Sequence, residues 1–307
     1  MIGKGYNSMI ELLQVFPDEQ SCINYLEKLR WNGNVVSPFD STSKVYKCKG
    51  NKYYCNSTGK YFNVKTSTLF ENTKVGLQKW FLSIWLITSH KKGISSLQLS
   101  RDIKVTQKTA WFILQRIRNC YGISDESSQL ENEVEIDETF VGGKNKNRHK
   151  GKKIENSQGR SCKDKTPVLG MIERKGKLIA KVIWDTQAET LTPEIVKNVK
   201  ETASIITDEW TGYKTIQRIY DHLFVKHNKG EYVNGHICTN TIEGFWSLLK
   251  RGVIGVYHFT SRKHLQKYVD EFVFRYNSRN CTEQNRIEIL FKNMEIRLTY
   301  ETLVYGK

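Results

Sequence analysis

Long apolar runs are missing from this chain, and so are the other marks of a membrane or secreted protein. The best stretch, WFLSIWLI at 80–87, is too short to span a bilayer and reads as a buried helix. The N-terminus MIGKGYNSMIELLQ lacks the continuous apolar core of a signal peptide, which predicts a cytoplasmic protein with no membrane partner. Proline is scarce, at four residues, and there is no low-complexity tract, so the composition is that of an ordinary globular protein. The seven cysteines are irregularly spaced; no disulfide framework is expected, and inside a cell they should be reduced thiols. Acids are in short supply. The 32 Asp and Glu stand against 48 Lys and Arg, a formal charge of +16. Such an excess implies a polyanionic partner, and without membrane-directed sequence nucleic acid is favoured.

What is present is long enough, at 307 residues, for about two domains. Residues 8–30 form an amphipathic segment broken by Pro17. VYKCKGNKYYCNSTGKYFNVKT then alternates aromatic and polar residues around Gly turns, which predicts short strands. Residues 75–120 read as three helices: one at about 77–90, a short one capped by Ser95, and a longer one capped by Thr106 that buries Ala110, Ile113, Leu114 and Ile117. A short helix, a tight turn and a longer helix exposing Gln107, Lys108, Gln115, Arg116 and Arg118 make the helix-turn-helix pattern, with a structural helical bundle as the alternative.

Beyond residue 130 strands and helices alternate. EVEIDETFVGG (133–143) reads as a strand, 166–185 as a hairpin turning at Lys175-Gly176, and LTPEIVKNV as a helix with Pro193 in its first turn. ASIITDEW is a short buried-type strand ending at an acid, LFVKHN another strand, and TNTIEGFWSLLKRG a helix, before a final helix at about 261–277. Between 142 and 165 lies a tract with ten Lys, Arg or His residues and two acids, including Lys144 and Lys146. It reads as a solvated loop able to wrap phosphates.

Three acids recur at the ends and edges of these elements. Asp137 falls within a strand, Asp208 at the end of one, and Glu243 on a helix whose buried stripe is Ile242, Phe245, Trp246 and Leu249, in line with Lys250. A mixed sheet with such a packed helix can converge all three. Oxygen-only ligands at low count suit Mg²⁺ or Mn²⁺, and two such ions about 4 Å apart support in-line phosphoryl transfer. Each acid also has a structural alternative. Glu133, Glu135 and Asp137 share one strand face that water could cover, Asp208 could cap the following turn, and Glu243 could face the helix dipole.

The blocks VEIDETFVGGK, TDEWTGY, HICTNTIEGFWSLLKRGVIGVYH and EFVFRYNSR resemble those of DDE transposases of the insertion-sequence family IS fifteen-ninety-five, also called ISXO-two-like. TSTLFENTKVGLQKWF and KKGISSLQLSRDIKVTQKTAWFILQRIR resemble that family's N-terminal part, so the likeness covers nearly the whole chain. It implies an RNase H-like α/β core with a mixed sheet that cuts double-stranded DNA at transposon ends and joins it to a target, acting as a homo-oligomer. Asp137, Asp208 and Glu243 match the family's acids, and Lys250, followed by Arg251, matches a lysine near the reacting phosphate. Asn240 and His236 match accessory positions. Family members usually begin with a zinc ribbon of two Cys-x-x-Cys pairs. Here SPFD (Ser37, Asp40) and CNST (Cys55, Thr58) stand at those positions, so the expectation is a degenerate ribbon without zinc, stabilised by Tyr46, Tyr53, Tyr54, Tyr61 and Phe62. Cys48 and Cys55 with a distant histidine are the metal-binding alternative.

The expected protein is therefore α+β and multidomain: a helical segment at 1–30, the ribbon-like module at 31–70, the helix-turn-helix at 71–125 and the catalytic domain at 130–307. It is expected to associate with the bacterial nucleoid when bound to DNA. The competing readings are a DNA-binding regulator or domesticated relative without chemistry, and an RNase H-type nuclease that cleaves without joining.

Overall fold

The computed structural model describes residues 5–122, 129–143, 148–155, 161–225 and 238–306. Lys144, Lys146 and His236 lie outside them. The protein is α+β, with a mixed five-stranded sheet and a separate three-stranded antiparallel sheet. Its chain divides into two compact units, residues 1–121 with 281–307, and residues 122–280.

In the first unit, helices α1 (Met9–Val15) and α2 (Glu19–Trp31) flank Pro17, whose missing N–H would interrupt a continuous helix. Asp18 starts α2 by accepting from the Ser21 N–H at 2.7 Å. Strands β1 (Val45–Cys48), β2 (Lys52–Cys55) and β3 (Lys60–Phe62) form an antiparallel meander. Alternation buries Tyr53, Cys55 and Phe62 on one face, where the Trp31 ring meets those of Tyr53 and Phe62 at 5.2 and 6.1 Å.

Two expectations about this module change. Tyr46, Tyr54 and Tyr61 lie on the opposite face, and Tyr46 and Tyr61 are exposed rather than structural. Cys48 shares that outer face while Cys55 points inward, so the two thiols do not converge on one ion. Beside Cys55, the Ser57 hydroxyl lies 3.6 Å from Sγ and donates to Asp40 Oδ2 at 2.6 Å.

Helices α3 (Leu77–Ser89), α4 (Ser96–Asp102) and α5 (Gln107–Tyr121) follow at the expected places. Ser95 accepts from the Gln98 N–H at 3.1 Å and Thr106 from the Thr109 N–H at 3.2 Å. Helix α5 buries Ala110, Ile113, Leu114 and Ile117 and exposes Gln107 and Lys108. Gln115, Arg116 and Arg118, expected on its solvent side, are buried. The Arg116 guanidinium donates to the carbonyls of Leu69, Glu71 and Leu298 at 3.1, 2.9 and 3.1 Å, which offsets the cost of removing it from water. Neither arginine presents its charge to a DNA surface in this arrangement.

In the second unit, β4 (Glu133–Val141), β5 (Thr166–Glu173) and β6 (Leu178–Val182) form an antiparallel meander, turning between β5 and β6 at Lys175 with φ 64°. Strands β7 (Ser204–Asp208) and β8 (Asp221–Val225) are added parallel to β4, in the order β6-β5-β4-β7-β8. The crossover is α6 (Ala188–Asn198). It begins earlier than expected, placing Pro193 in its second turn, because the Asp185 carboxylate accepts from Gln187 N–H and Thr190 Oγ1 at 3.0 and 2.7 Å.

One face of the sheet packs Val134, Ile136, Leu169, Met171 and Ile205 against Leu191 and Ile195 of α6. The other packs Val168, Ile172, Leu178 and Ala180 against α7 (Asn240–Gly252) and α8 (Arg262–Asn277). Helices α9 (Glu283–Lys292) and α10 (Tyr300–Tyr305), not read from the sequence, group with the first unit although the expected catalytic domain ran to 307.

Candidate active site

Alternation along β4 decides which acids meet α7. Val134 and Ile136 enter the α6-side core, so Glu133, Glu135 and Asp137 face the α7 side. Glu135 is fully buried, and its carboxylate accepts from Arg174 Nε at 2.9 Å, Thr241 N–H at 2.9 Å, Thr241 Oγ1 at 2.8 Å and Ile242 N–H at 3.1 Å. The two amides belong to the first turn of α7, where N–H groups lack helical partners. The residue preceding that helix, Thr239, makes no side-chain cap bond to it. Glu135 therefore caps the helix from the sheet and fixes it over β4. Water does not cover Glu135, as the structural alternative required.

Two residues on, Asp137 Oδ2 accepts from Trp246 Nε1 at 3.0 Å. Asp137 stands opposite Gly170 in the β4–β5 ladder. A Cβ at 170 would lie 2.5 Å from Trp246 Cζ2 and 2.8 Å from Ile242 Cδ1, so only glycine leaves room for the indole. The period of α7 gave Trp246 as part of a buried stripe, which it is, but could not show its N–H reaching an acid.

Asp208 ends β7. The parallel register runs from Glu133↔Ser204 to Glu135↔Ile206, and Asp137 and Asp208 stand two residues further along each strand. Asp208 Oδ1 accepts from the Trp210 N–H at 3.0 Å. Glu243 is exposed in the first turn of α7, where its Oε1 accepts from Thr239 Oγ1 at 3.1 Å.

Burial pushes the Asp137 carboxyl up, and the charges of Asp208 and then Glu243 push it further, to about 6; the Glu138 N–H and the Trp246 indole pull only partly the other way. Asp137 thus feels the charges of both other acids. Among the described residues, no group of three or more His, Cys, Asp or Glu side chains lies close enough to hold a metal ion. All three donors are carboxylate oxygens, the kind that hard divalent cations take.

The remaining expected residues spread along α7. Asn240 is exposed at its start and Lys250 near its end. Arg251, also exposed, folds back onto Ser247, donating to its carbonyl at 3.1 Å and its hydroxyl at 2.8 Å. Three residues were not foreseen: Glu135 as a helix anchor, Arg174 as its counter-charge, and Tyr213, which donates to Glu138 on the other face of β4.

These strands and helices are similar to a known transposase domain. The model of the ISXO2-like transposase domain matches residues 129–277, from just before β4 to the end of α8. Over 279 residues the chain is 27% identical to a protein of Halobacterium salinarum described as an uncharacterized protein in transposable element ISH50; the match covers 86% of this chain and 92% of that one. Both findings support a transposase role.

Proposed function

We propose that the protein is a DDE transposase that nicks double-stranded DNA at the ends of an insertion sequence and joins the freed 3′ ends to target DNA. Its catalytic acids are Asp137, Asp208 and Glu243, on an RNase H-like core. The observation that carries this reading is the β4–β7 register, which sets Asp137 and Asp208 level on adjacent parallel strands, with the Asp137 carboxyl raised by the charges of Asp208 and Glu243 in a chain of +16 charge. A fold has no need of such charge repulsion, and a divalent cation would relieve it. The antiparallel meander extended by two parallel strands supports the RNase H-like assignment.

Asp137 and Asp208 would hold Mg²⁺ or Mn²⁺ from adjacent strand ends. Glu243 would join them once its carboxylate leaves Thr239. When bound, the ions activate the attacking oxygen and stabilise the leaving one. Trp246 orients Asp137, Glu135 keeps α7 in register with β4, and Lys250, with Arg251 beyond it, receives the DNA backbone on the exposed side of the helix. In the other unit, α4 and α5 act as a helix-turn-helix touching DNA through Gln107 and Lys108, not through Arg116 or Arg118. Pairing two ends calls for at least a dimer on DNA.

The test is strand transfer on an end-containing duplex with Mg²⁺. Asp208→Asn should lower joining by about a hundredfold or more, and undiminished joining refutes the assignment. One observation favours a second reading, a DNA-binding regulator without chemistry: Glu243 accepts from Thr239, just before its helix, and is not grouped closely enough with the other two acids to hold a metal ion. That reading predicts end binding but no cleavage by the wild-type chain in Mg²⁺ or Mn²⁺.

A further inference from the structure

The outer face of the small sheet carries a row of rings that the fold does not use. Tyr46 pairs with Tyr54, and Tyr54 with Tyr61, so the three tyrosines stand side by side across β1, β2 and β3 on one face. The Tyr54 and Tyr61 rings are 5.1 Å apart and tilted by 54°. Tyr46 is 44% exposed and Tyr61 63%. The module's packing is supplied by the other face, where Tyr53 and Phe62 are buried against Trp31. Two exposed rings flanking the half-buried Tyr54 in register across the sheet are therefore surplus to stability.

Charge surrounds the row. From Ser41 to Phe70 the chain has Lys44, Lys47, Lys49, Lys52, Lys60 and Lys65 and no acid at all. Lys44 Nζ sits 5.3 Å over the Tyr46 ring, and Lys60 Nζ 5.2 Å over that of Phe39, itself 39% exposed. Lys52 shares the outer face with Tyr54 by alternation.

We propose that this face is a stacking platform for the unpaired bases of single-stranded DNA. A partner that satisfies the surface must offer planar, uncharged rings together with a chain of negative charges. Duplex DNA offers the phosphates but hides its base faces, leaving the tyrosines idle; a single strand presents both. The inference rests on the reading of this chain as a DNA-handling protein, but not on its acids. Nicking at an element end, followed by unpairing of the freed end from its complement, is the class of event that would supply such a strand.

The test uses the full chain and a fluorescein-labelled oligothymidylate, with a mixed-sequence duplex alongside, followed by anisotropy over a range of salt. The pair Tyr46→Ala and Tyr61→Ala should weaken single-strand binding by about tenfold or more and duplex binding by less than about twofold. The salt slope should not move, because no cation is lost. Tyr46→Phe with Tyr61→Phe should bind as the wild type does. Unchanged single-strand affinity in the alanine pair, or an equal loss on duplex, overturns the platform, as does an oligouridylate bound tenfold more tightly than the DNA strand. Because the alanine pair could unfold the small sheet, photocrosslinking of a 5-iodouracil strand to the wild-type chain gives a second answer. Adducts on Tyr46, Tyr54 or Tyr61 are expected, and adducts confined to other residues reject the proposal. A wild type that joins ends normally while failing these tests loses only the platform. Strand transfer undiminished by Asp208→Asn, with the stacking results intact, overturns only the catalytic reading.

Discussion

Glu135 and Asp137 are two residues apart on one face of one strand, and their surroundings differ in kind. Glu135 is met by an arginine, a hydroxyl and two helix amides, so its charge is fully answered inside the protein. Asp137 receives one indole N–H and one backbone N–H, and faces two further acids. The first arrangement is what a buried charge needs to hold a structure together. The second leaves a charge that the protein itself does not balance. A few ångströms of strand thus separate a carboxylate that is answered within the fold from one that is not.

The sharpest way to break this contrast is Asp137→Asn. Joining should fall by about a hundredfold or more, while the melting temperature at pH 7 to 8 should rise. Its carboxyl titrates near 6 when folded, above the ordinary aspartate range. As pH climbs through that interval the unfolded chain has already released a proton that the folded chain still holds, so stability declines, and above about 6 the whole penalty applies. Asparagine removes it. For the same reason Mg²⁺ should raise the wild-type melting temperature above pH 6 and leave Asp137→Asn nearly unmoved. A variant that melts lower at pH 8 than the wild type would place Asp137 in the same structural class as Glu135.

Glu135→Ala should do the opposite. It should destabilise by about 3 kcal/mol or more, read from the urea midpoint, because Arg174 and the α7 amides lose their acceptor. Its activity loss should follow the loss of folded protein and the displacement of Glu243. Gly170→Ala inserts a methyl group into the indole and should cost about 2 kcal/mol, together with weaker Mg²⁺ stabilisation. Trp246→Phe is the mildest, at about 1 kcal/mol. Without its N–H donor the Asp137 carboxyl should titrate higher, so Mg²⁺ stabilisation should begin at a higher pH than in the wild type.

How much of this was legible depended on how far apart the partners are in the chain. The stripe of α7 and the two faces of β4 follow from periods of 3.6 and 2, and both stand in the structure. The caps at Ser95 and Thr106 needed only their own neighbours. The role of Glu135 could not be read, because its arginine is 39 residues away and its amides more than 100. Arg116 misled for the same reason. A helical arginine without an apolar neighbour in period reads as exposed, yet carbonyls 47 and 182 residues distant surround it. The tyrosines of the small sheet were visible as aromatics, but which face was spare emerged only with the strand register.

Strands β4 and β5 place Val134, Ile136, Leu169 and Met171 in the layer under α6 and Val141, Val168 and Ile172 in the layer under α7. Neither layer can melt without stripping one side of the strands that support its neighbour. Residues 122–280 should accordingly lose both layers in one cooperative transition, with amides on either side of the sheet exchanging at a common opening free energy.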